Sequence, residues 1–170
     1  MHYTFQFGEV LKHFPELLQG AVLTLEIAFF TFWFGAVIGC LGAMGKIHGP
    51  RPVQRFVSAY VTFFTNTPAL IQIFVLFYGL PDFGIILSPL TAALIGITLN
   101  AGAYLTEILR SGIISVRRSE MEAAETLGMS GFQAFRYVIM PHVARTIYAP
   151  LSNFFVWLVL GSSIAGLFGV

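Results

Sequence analysis

The sequence predicts an all-α integral membrane protein. Of its 170 residues, 56% are hydrophobic, only 10% are charged and 18 are phenylalanine. Soluble domains carry about a quarter charged residues, and a globule of this length has too little interior to bury so much apolar surface. A membrane-spanning helix needs about 20 apolar residues, and the chain has four uncharged runs near this length or longer. They cover residues 27–45, 56–81, 83–106 and 146–170.

These runs predict four transmembrane helices in a single domain that covers residues 1–170. The segment before the first run is not typical of a cleaved signal peptide, so we interpret the first span as retained. The last run reaches Val170 without a charged residue to stop it. The helices are predicted at about 20–43, 57–80, 87–108 and 146–166.

Small residues recur at helical spacing in the first and third spans. Gly35, Gly39 and Gly42 lie on one side of span 1, and Ala92 and Gly96 form a second pair in span 3. Small residues let helix backbones approach closely in lipid. Both sets are therefore predicted to be helix-packing surfaces.

Polar side chains interrupt the second, third and fourth spans. Pro68 has no N–H, so a carbonyl near Phe64 loses its helical partner, and such an opening is tolerated only inside protein or along a wet cavity. Polar groups at this depth should face one another or a pathway; hydrogen bonding between helices would also explain each of them singly. The candidates for a translocation path are Asn66, Thr67, Gln72, Asn100 and Asn153.

Basic residues predict the orientation. Of the nine lysine and arginine residues, all but Lys12 lie in the segments after span 1 and after span 3. Positive residues mark the cytoplasmic side, so the N-terminus and the turn over 80–89 should face outward. The segment after span 3 should then be cytosolic. In span 3, Glu107 and Arg110 have the i,i+3 spacing of an ion pair.

The longest polar segment, over 119–141, predicts a helical hairpin. Ser119 can cap a first helix, and Gly128 follows it where a left-handed C-terminal cap would lie. Ser130 can cap a second helix, and Pro141 should end that helix or start the next element. A surface hairpin that only joins two spans remains an alternative.

The hairpin resembles the EAA loop in the membrane-spanning subunits of bacterial ATP-binding-cassette importers. Glu-Ala-Ala, a glycine four residues after the second alanine, and a closing Ile-x-Pro recur here in that order. In that family the loop is a cytoplasmic foot that sits in a groove of the ATPase subunit. The resemblance implies a coupling loop over 110–141 with contact residues Glu122, Ala123, Ala124, Gly128, Ile139 and Pro141.

Further matches resemble the polar amino acid uptake branch of the same family. They include Thr67-Pro68, Gln72 and the Gly-Leu-Pro exit of span 2. Two positions depart from the branch, which often has arginine at the place of Thr65 and charged residues at the place of Leu160-Gly161. The resemblance also implies a fifth span beyond Val170.

We therefore expect a permease subunit in a bacterial cytoplasmic membrane, in contact with lipid, that imports a small polar solute, an amino acid by resemblance. The chain has no Walker A pattern, so hydrolysis of ATP must occur in a partner. The family implies ATPase subunits, a second permease copy or paralogue, and an extracytoplasmic solute-binding protein; no nucleic acid is expected. A passive channel and a half-size secondary transporter remain alternatives.

No metal or cofactor site is predicted. The histidines at 2, 13, 48 and 142 are scattered without the spacing of metal ligands. Cys40 is the single cysteine, so it cannot form a disulfide within the chain. The sequence accordingly predicts a protein that carries no catalytic chemistry of its own.

Overall fold

The computed structural model describes residues 12–169, and all of its regular elements are helices. The predicted outward placement of the N-terminus and the predicted fifth span fall on residues outside this range. The first part of the chain forms four helices: α1 (Phe14–His48), α2 (Arg51–Asn66), α3 (Ala69–Phe74) and α4 (Pro89–Ile114). A π-helical turn, Val75–Gly79, and a 3₁₀ turn, Leu80–Phe83, extend α3.

The second half comprises the hairpin and the last long helix. Helix α5 (Arg118–Thr126) is followed by α6 (Gly131–Ala134), a π-helical turn at Phe135–Ile139, and α7 (Met140–Gly161). A 3₁₀ helix, Ser162–Phe168, follows α7. Helices α1, α4 and the run Gly131–Phe168 are each long and apolar enough to cross a membrane, and the bent pair of α2 and α3 makes a fourth candidate.

Helices α1 and α4 pack closely along the predicted glycine stripe. A Cβ atom built on Gly35 would lie 2.8 Å from the Cβ of Ala101, and one on Gly39 would lie 2.7 Å from the Cβ of Leu105. Real Cβ atoms do not approach so closely, so these glycines allow the contact. In span 3, Gly96 of the second predicted pair packs against Ile73 of α3, and Ala92 is fully buried.

The opposite side of α1 is apolar and exposed. Leu25, Phe29, Trp33, Val37 and Leu41 recur every four residues, and each keeps more than half of its surface uncovered. Neighbours in this row are one turn apart, and the row winds around the side of α1 that faces away from the glycines. A continuous apolar face of this kind matches contact with lipid.

The predicted second span differs from the structure. It is not one helix over 57–80, because α2 and the run Ala69–Phe83 meet at an angle of 103°. Thr67 is extended, with φ −111° and ψ 136°, as expected for a residue before proline. Pro68 then starts α3, so the chain turns sharply inside the apolar region.

Of the two predicted helix boundaries in the hairpin, one is corrected and one is confirmed. Ser119 is not the cap of α5: Arg117 holds the extended cap position and offers no side-chain bond. The connection from α4 is so short that Ser119 already lies inside the helix. Pro141 starts the next element, the second of the two predicted outcomes, because it lies in the first turn of α7, directly after the π-helical turn. The last span therefore begins well before residue 146.

Candidate functional site

The break between α2 and α3 frees a backbone carbonyl inside the bundle. The carbonyl of Phe64 has no N–H partner at position 68, which is proline. Instead, the Nε2 of Gln72 donates to it at 3.1 Å and the Nδ2 of Asn100 donates to it at 2.9 Å. The orphan carbonyl predicted from Pro68 is thus confirmed, and two side-chain amides from different helices satisfy it.

The two amides also bind each other. Asn100 Nδ2 lies 3.2 Å from Gln72 Oε1, and Gln72 Nε2 donates to the carbonyl and hydroxyl of Thr67 at 3.0 and 2.7 Å. Asn100 is 3% exposed and Gln72 is 7% exposed. We call Gln72, Asn100 and the Phe64 carbonyl the amide cluster. It joins α2, α3 and α4 by hydrogen bonds.

A pocket of about 270 Å³ lies against this cluster. Its walls carry hydroxyl, amide and aromatic groups but no ionisable acid, lysine, arginine or histidine. The Oδ1 of Asn100 has no hydrogen-bond partner among the described residues. The pocket is lined by Thr65, Asn66, Thr67, Pro68, Ala69, Asn100, Tyr104 and Trp157.

Sequence reasoning missed the aromatic wall of the pocket. Tyr104 stacks on Phe154 at 5.5 Å between ring centroids, and Phe154 stacks on Trp157 at 5.6 Å. Tyr104 lies one helical turn after Asn100, so the spacing along α4 could have found it. Trp157 comes from α7, and only the tertiary fold places it there.

The five path candidates are not all in one place. Asn66, Thr67 and Asn100 line the pocket, and Gln72 lies behind it in the amide cluster. Asn66 bonds within its own helix, to the carbonyl of Thr62 at 2.7 Å. Asn153 is exposed on α7, one turn before Trp157, and does not line the pocket.

The turn of the hairpin has the geometry of a glycine-dependent helix end. Gly128 has φ +70°, which confirms the predicted left-handed cap. Its N–H donates to the carbonyl of Glu125 at 2.9 Å, and the N–H of Met129 donates to Ala124 at 3.1 Å. This pair of bonds is the Schellman motif. The direction in which the chain continues after α5 therefore depends on Gly128.

The second helix of the hairpin begins with the predicted cap. Gln133 N–H donates to the hydroxyl of Ser130 at 3.3 Å, and the Gln133 side chain accepts from the N–H of Ser130 at 2.8 Å. This reciprocal capping box satisfies two donors at the helix start. The turn between the two helices is consequently fixed on both sides.

The outer surface of the hairpin combines charge with exposed apolar groups. Arg118 and Glu122 pair at 2.9 Å on the exposed face of α5, and Ala123 beside them is also exposed. Leu127 and Phe132, on either side of the turn, are 74% and 70% exposed. Of the other predicted contact residues, Gly128 and Pro141 are exposed, Ile139 is half-buried and Ala124 is buried.

A charge cluster ties α1 to α4 at the end of the bundle near the hairpin. Glu107 accepts from Arg110 at 2.8 Å, which confirms the predicted pair, and from Lys46 at 2.5 Å. Lys46 was not predicted to join it. Both residues flank the same end of their spans, and that shared position is the signal that could have found the contact.

Metal-binding clusters do not occur in the described range. Residues 12–169 contain no group of three or more histidine, cysteine, aspartate or glutamate side chains placed to hold an ion. The polar groups of the pocket can exchange hydrogen bonds with a ligand. They provide no nucleophile paired with a base.

Several apolar spans, a broken helix with a polar pocket and a structured hairpin define a multi-pass membrane transport subunit. The chain belongs to the family of binding-protein-dependent transport system inner membrane components, whose model matches residues 35–170. Members are permease subunits of ATP-binding-cassette importers, and ATP hydrolysis lies in a separate partner subunit. This membership supports the importer over the passive channel and the secondary transporter.

Relatives and a solved structure agree with the family. The probable amino-acid ABC transporter permease protein YckA of Bacillus subtilis (strain 168) is 36% identical over 99% of this chain and 74% of its own length. The L-cystine transport system permease protein TcyB of the same organism is 36% identical over 89% of this chain and 64% of its own length. A crystal structure of an amino acid ABC transporter with histidines matches with a TM-score of 0.89 and 32% identity, covering 99% of this chain and 78% of that one.

Proposed function

We propose that this chain forms the translocation path for a small polar solute, an amino acid, in an ATP-driven importer. The observation that carries the proposal is the uncharged pocket beside the amide cluster, at a break in a helix that is otherwise apolar. Backbone breaks in a bilayer are tolerated where they are buried or line a water-filled cavity. Asn66, Thr67 and Asn100 contact the solute, Gln72 holds the break, and Asn153 lies further along the path.

The amino-acid assignment rests on the relatives. The names of YckA and TcyB refer to amino-acid and L-cystine transport, and the matched crystal structure is of an amino acid transporter. The pocket carries Thr65 where the related branch often has arginine. A site without a charge favours the uncharged part of the solute, because a buried unpaired charge is costly.

The hairpin couples the path to the ATPase. Leu127 and Phe132 offer apolar anchors, and Glu122 offers a charge, on a surface that the rest of the chain leaves uncovered. Resemblance to the EAA loop supports the same role for Ala123, Gly128, Ile139 and Pro141, and for Ala124, which is buried and would support the contact from the inner side of α5. Energy from ATP can bias the path only if the hairpin binds differently in the two states of the machine.

The family implies ATPase subunits, a further permease subunit and a solute-binding protein as partners. We propose an orientation with the N-terminus outside and the hairpin in the cytosol, because lysine and arginine concentrate on the hairpin side. The permease would pair with a second copy or a paralogue, and the binding protein would lie outside the membrane.

The test is purification followed by transport. The full-length gene product, affinity-tagged and extracted in mild detergent, should retain an ATP-binding-cassette ATPase that mass spectrometry identifies. Proteoliposomes of that complex should take up labelled amino acids when the solute-binding protein is outside and ATP is inside, on the hairpin side. Uptake without ATP, or a complex that contains no ATPase, would contradict the proposal.

A further inference from the structure

Helix α5 is held weakly by apolar contacts. Ala124 is its one buried residue, and on the side of Gly128 a short turn joins the helix to the run Gly131–Phe168. Over residues 12–169, a single polar side-chain contact joins α5 to another long helix. It connects Glu120 with His142, whose Nδ1 lies 3.4 Å from Glu120 Oε2.

His142 also contacts the end of α4. Its Nε2 lies 3.1 Å from the hydroxyl of Ser115, which caps that helix. His142 itself belongs to the first turn of α7. One imidazole ring therefore links three elements: the hairpin helix α5, the end of span 3 and the start of the last span. We call Glu120, His142 and Ser115 the latch.

Hydrogen counting shows how the ring is used. The Ser115 hydroxyl lies 2.7 Å from the carbonyl of Gly112 and 3.1 Å from His142 Nε2, and it can donate to that nitrogen or accept from it. A carboxylate only accepts. With a hydrogen on Nδ1, His142 is therefore oriented to donate toward Glu120 while Nε2 faces the Ser115 hydroxyl.

The latch lies on the inner side of α5. Glu120 and Ala124 are one turn apart and share a face, and Ala124 is buried. Arg118 and Glu122 share the other face, where they are exposed. A change at His142 therefore leaves the outer surface of the hairpin intact.

We propose that His142 is a positioning residue that locks α5 to the ends of spans 3 and 4, so that movement of the hairpin is passed to the path. This inference rests on the proposed function of the hairpin as the ATPase contact. Without the latch, movement of α5 reaches the spans only through the short connections at its two ends. The transporter then hydrolyses ATP with less import for each ATP consumed.

The experiment measures the ratio of solute imported to ATP hydrolysed. Proteoliposomes contain the full-length permease with the ATPase that co-purifies with it and the solute-binding protein, and both uptake and ATP hydrolysis are recorded. His142→Leu should keep the ATPase bound but lower uptake per ATP by about fivefold or more, within the usual range of coupling between sites. His48→Leu is the matched control: His48 is exposed at the end of α1 and should leave the ratio unchanged.

Changes at Glu120 distinguish a latch from a general packing defect. Glu120→Gln keeps an oxygen that accepts from His142 and should retain most of the ratio, whereas Glu120→Leu should lose it. The double variant Glu120→Leu/His142→Leu should be no worse than either single one, because partners in one contact are not additive. If His142→Leu fails to insert into the membrane, the comparison of Glu120→Gln with Glu120→Leu tests the latch by itself.

An unchanged ratio in Glu120→Leu, or in an inserted His142→Leu, overturns the latch, as does loss of the bound ATPase in these variants. Failure of the proposed function is distinguishable, because it appears in the unmodified protein. There, the complex would contain no ATPase or would show no ATP-dependent uptake.

Discussion

Gln72 and Asn100 lie 28 positions apart on different helices, and both donate to the carbonyl of Phe64. Proline at position 68 creates the unpaired acceptor, and the fold brings two amides to it. The carbonyl that one helix leaves unpaired thereby accepts hydrogen bonds that connect three helices. Asn100, one of the two amides, also lines the pocket.

Replacement of the amides should reduce transport in a defined order. Asn100→Leu and Gln72→Leu each leave part of the cluster unpaired in the bundle, at a cost of about 1–3 kcal/mol, and each should lower uptake by about tenfold or more. Asn66→Leu should have a smaller effect, because Asn66 bonds only within α2. Asn153→Leu should have the smallest effect. Initial uptake rates in proteoliposomes measure the order. If all four variants take up solute at the rate of the unmodified protein, these residues serve only in packing.

Gly128 should be sensitive through its backbone alone. A Cβ there meets nothing within 4 Å, but φ is +70°, and a side chain in that region costs about 1 kcal/mol or more. Gly128→Val should lose most ATP-driven uptake and bound ATPase while membrane insertion stays normal. Gly131→Ala is the control, since it also meets nothing within 4 Å and has a negative φ. Equal behaviour of the two variants would exclude a role for the turn geometry.

Charge reversal should test the outer face of α5. Glu122→Lys removes the pair with Arg118 and places a positive charge on the exposed surface. We expect weaker retention of the ATPase and loss of uptake, with little change in stability because exposed pairs contribute about 0–1 kcal/mol. Arg118→Ala removes the same pair without reversing the sign at position 122. Normal ATPase retention in Glu122→Lys would show that this face does not dock.

Close packing of α1 on α4 should be tested with two alanine substitutions in one helix. Gly39→Ala would place a Cβ 2.7 Å from that of Leu105 and 3.0 Å from backbone, whereas Gly20→Ala meets nothing within 4 Å. Overpacking of this kind costs about 1–3 kcal/mol. Gly39→Ala should therefore denature at a lower temperature in detergent than Gly20→Ala, as fluorescence-detected chromatography after heating would show. Identical profiles would contradict the packing.

Thiol labelling should report the orientation. Cys40 is exposed in the structure, so the test begins from Cys40→Ala. In that background Asp82→Cys should react with a membrane-impermeant reagent in intact cells, and Arg118→Cys should react only after the membrane is opened. The opposite pattern would place the hairpin outside, where a cytosolic ATPase could not reach it.

Much of the fold follows from local chemistry. The lengths of the uncharged runs located the spans, the missing N–H of Pro68 located the free carbonyl, and the lack of Cβ in Gly128 located the left-handed turn. The cap at Ser130 followed from its hydroxyl and from Gln133 three residues later. Each of these depends on a few consecutive residues, so the sequence contains the cause.

Other features depend on contacts between distant parts of the chain. The angle of 103° after Asn66 is set by what α3 packs against, and proline alone does not determine it. Lys46 with Glu107, Trp157 in the pocket, and His142 between Ser115 and Glu120 are likewise products of the tertiary fold. The periodicity of one helix does not indicate which other helix packs against it.

The helix that begins at Gly131 has a mechanical consequence. The helical run Gly131–Phe168 contains both the second arm of the hairpin and the last span, with a π-helical turn, Pro150 and a 3₁₀ segment within it. At 1.5 Å per residue it extends for about 57 Å. A long helix transmits tilt, so a small displacement of its foot near Phe132 moves residues further along the run. Phe154 and Trp157 lie beyond the midpoint of the run, against Tyr104. Movement of the foot would therefore reach the aromatic wall of the pocket along this helix, and the latch adds a connection from α5 to the same span.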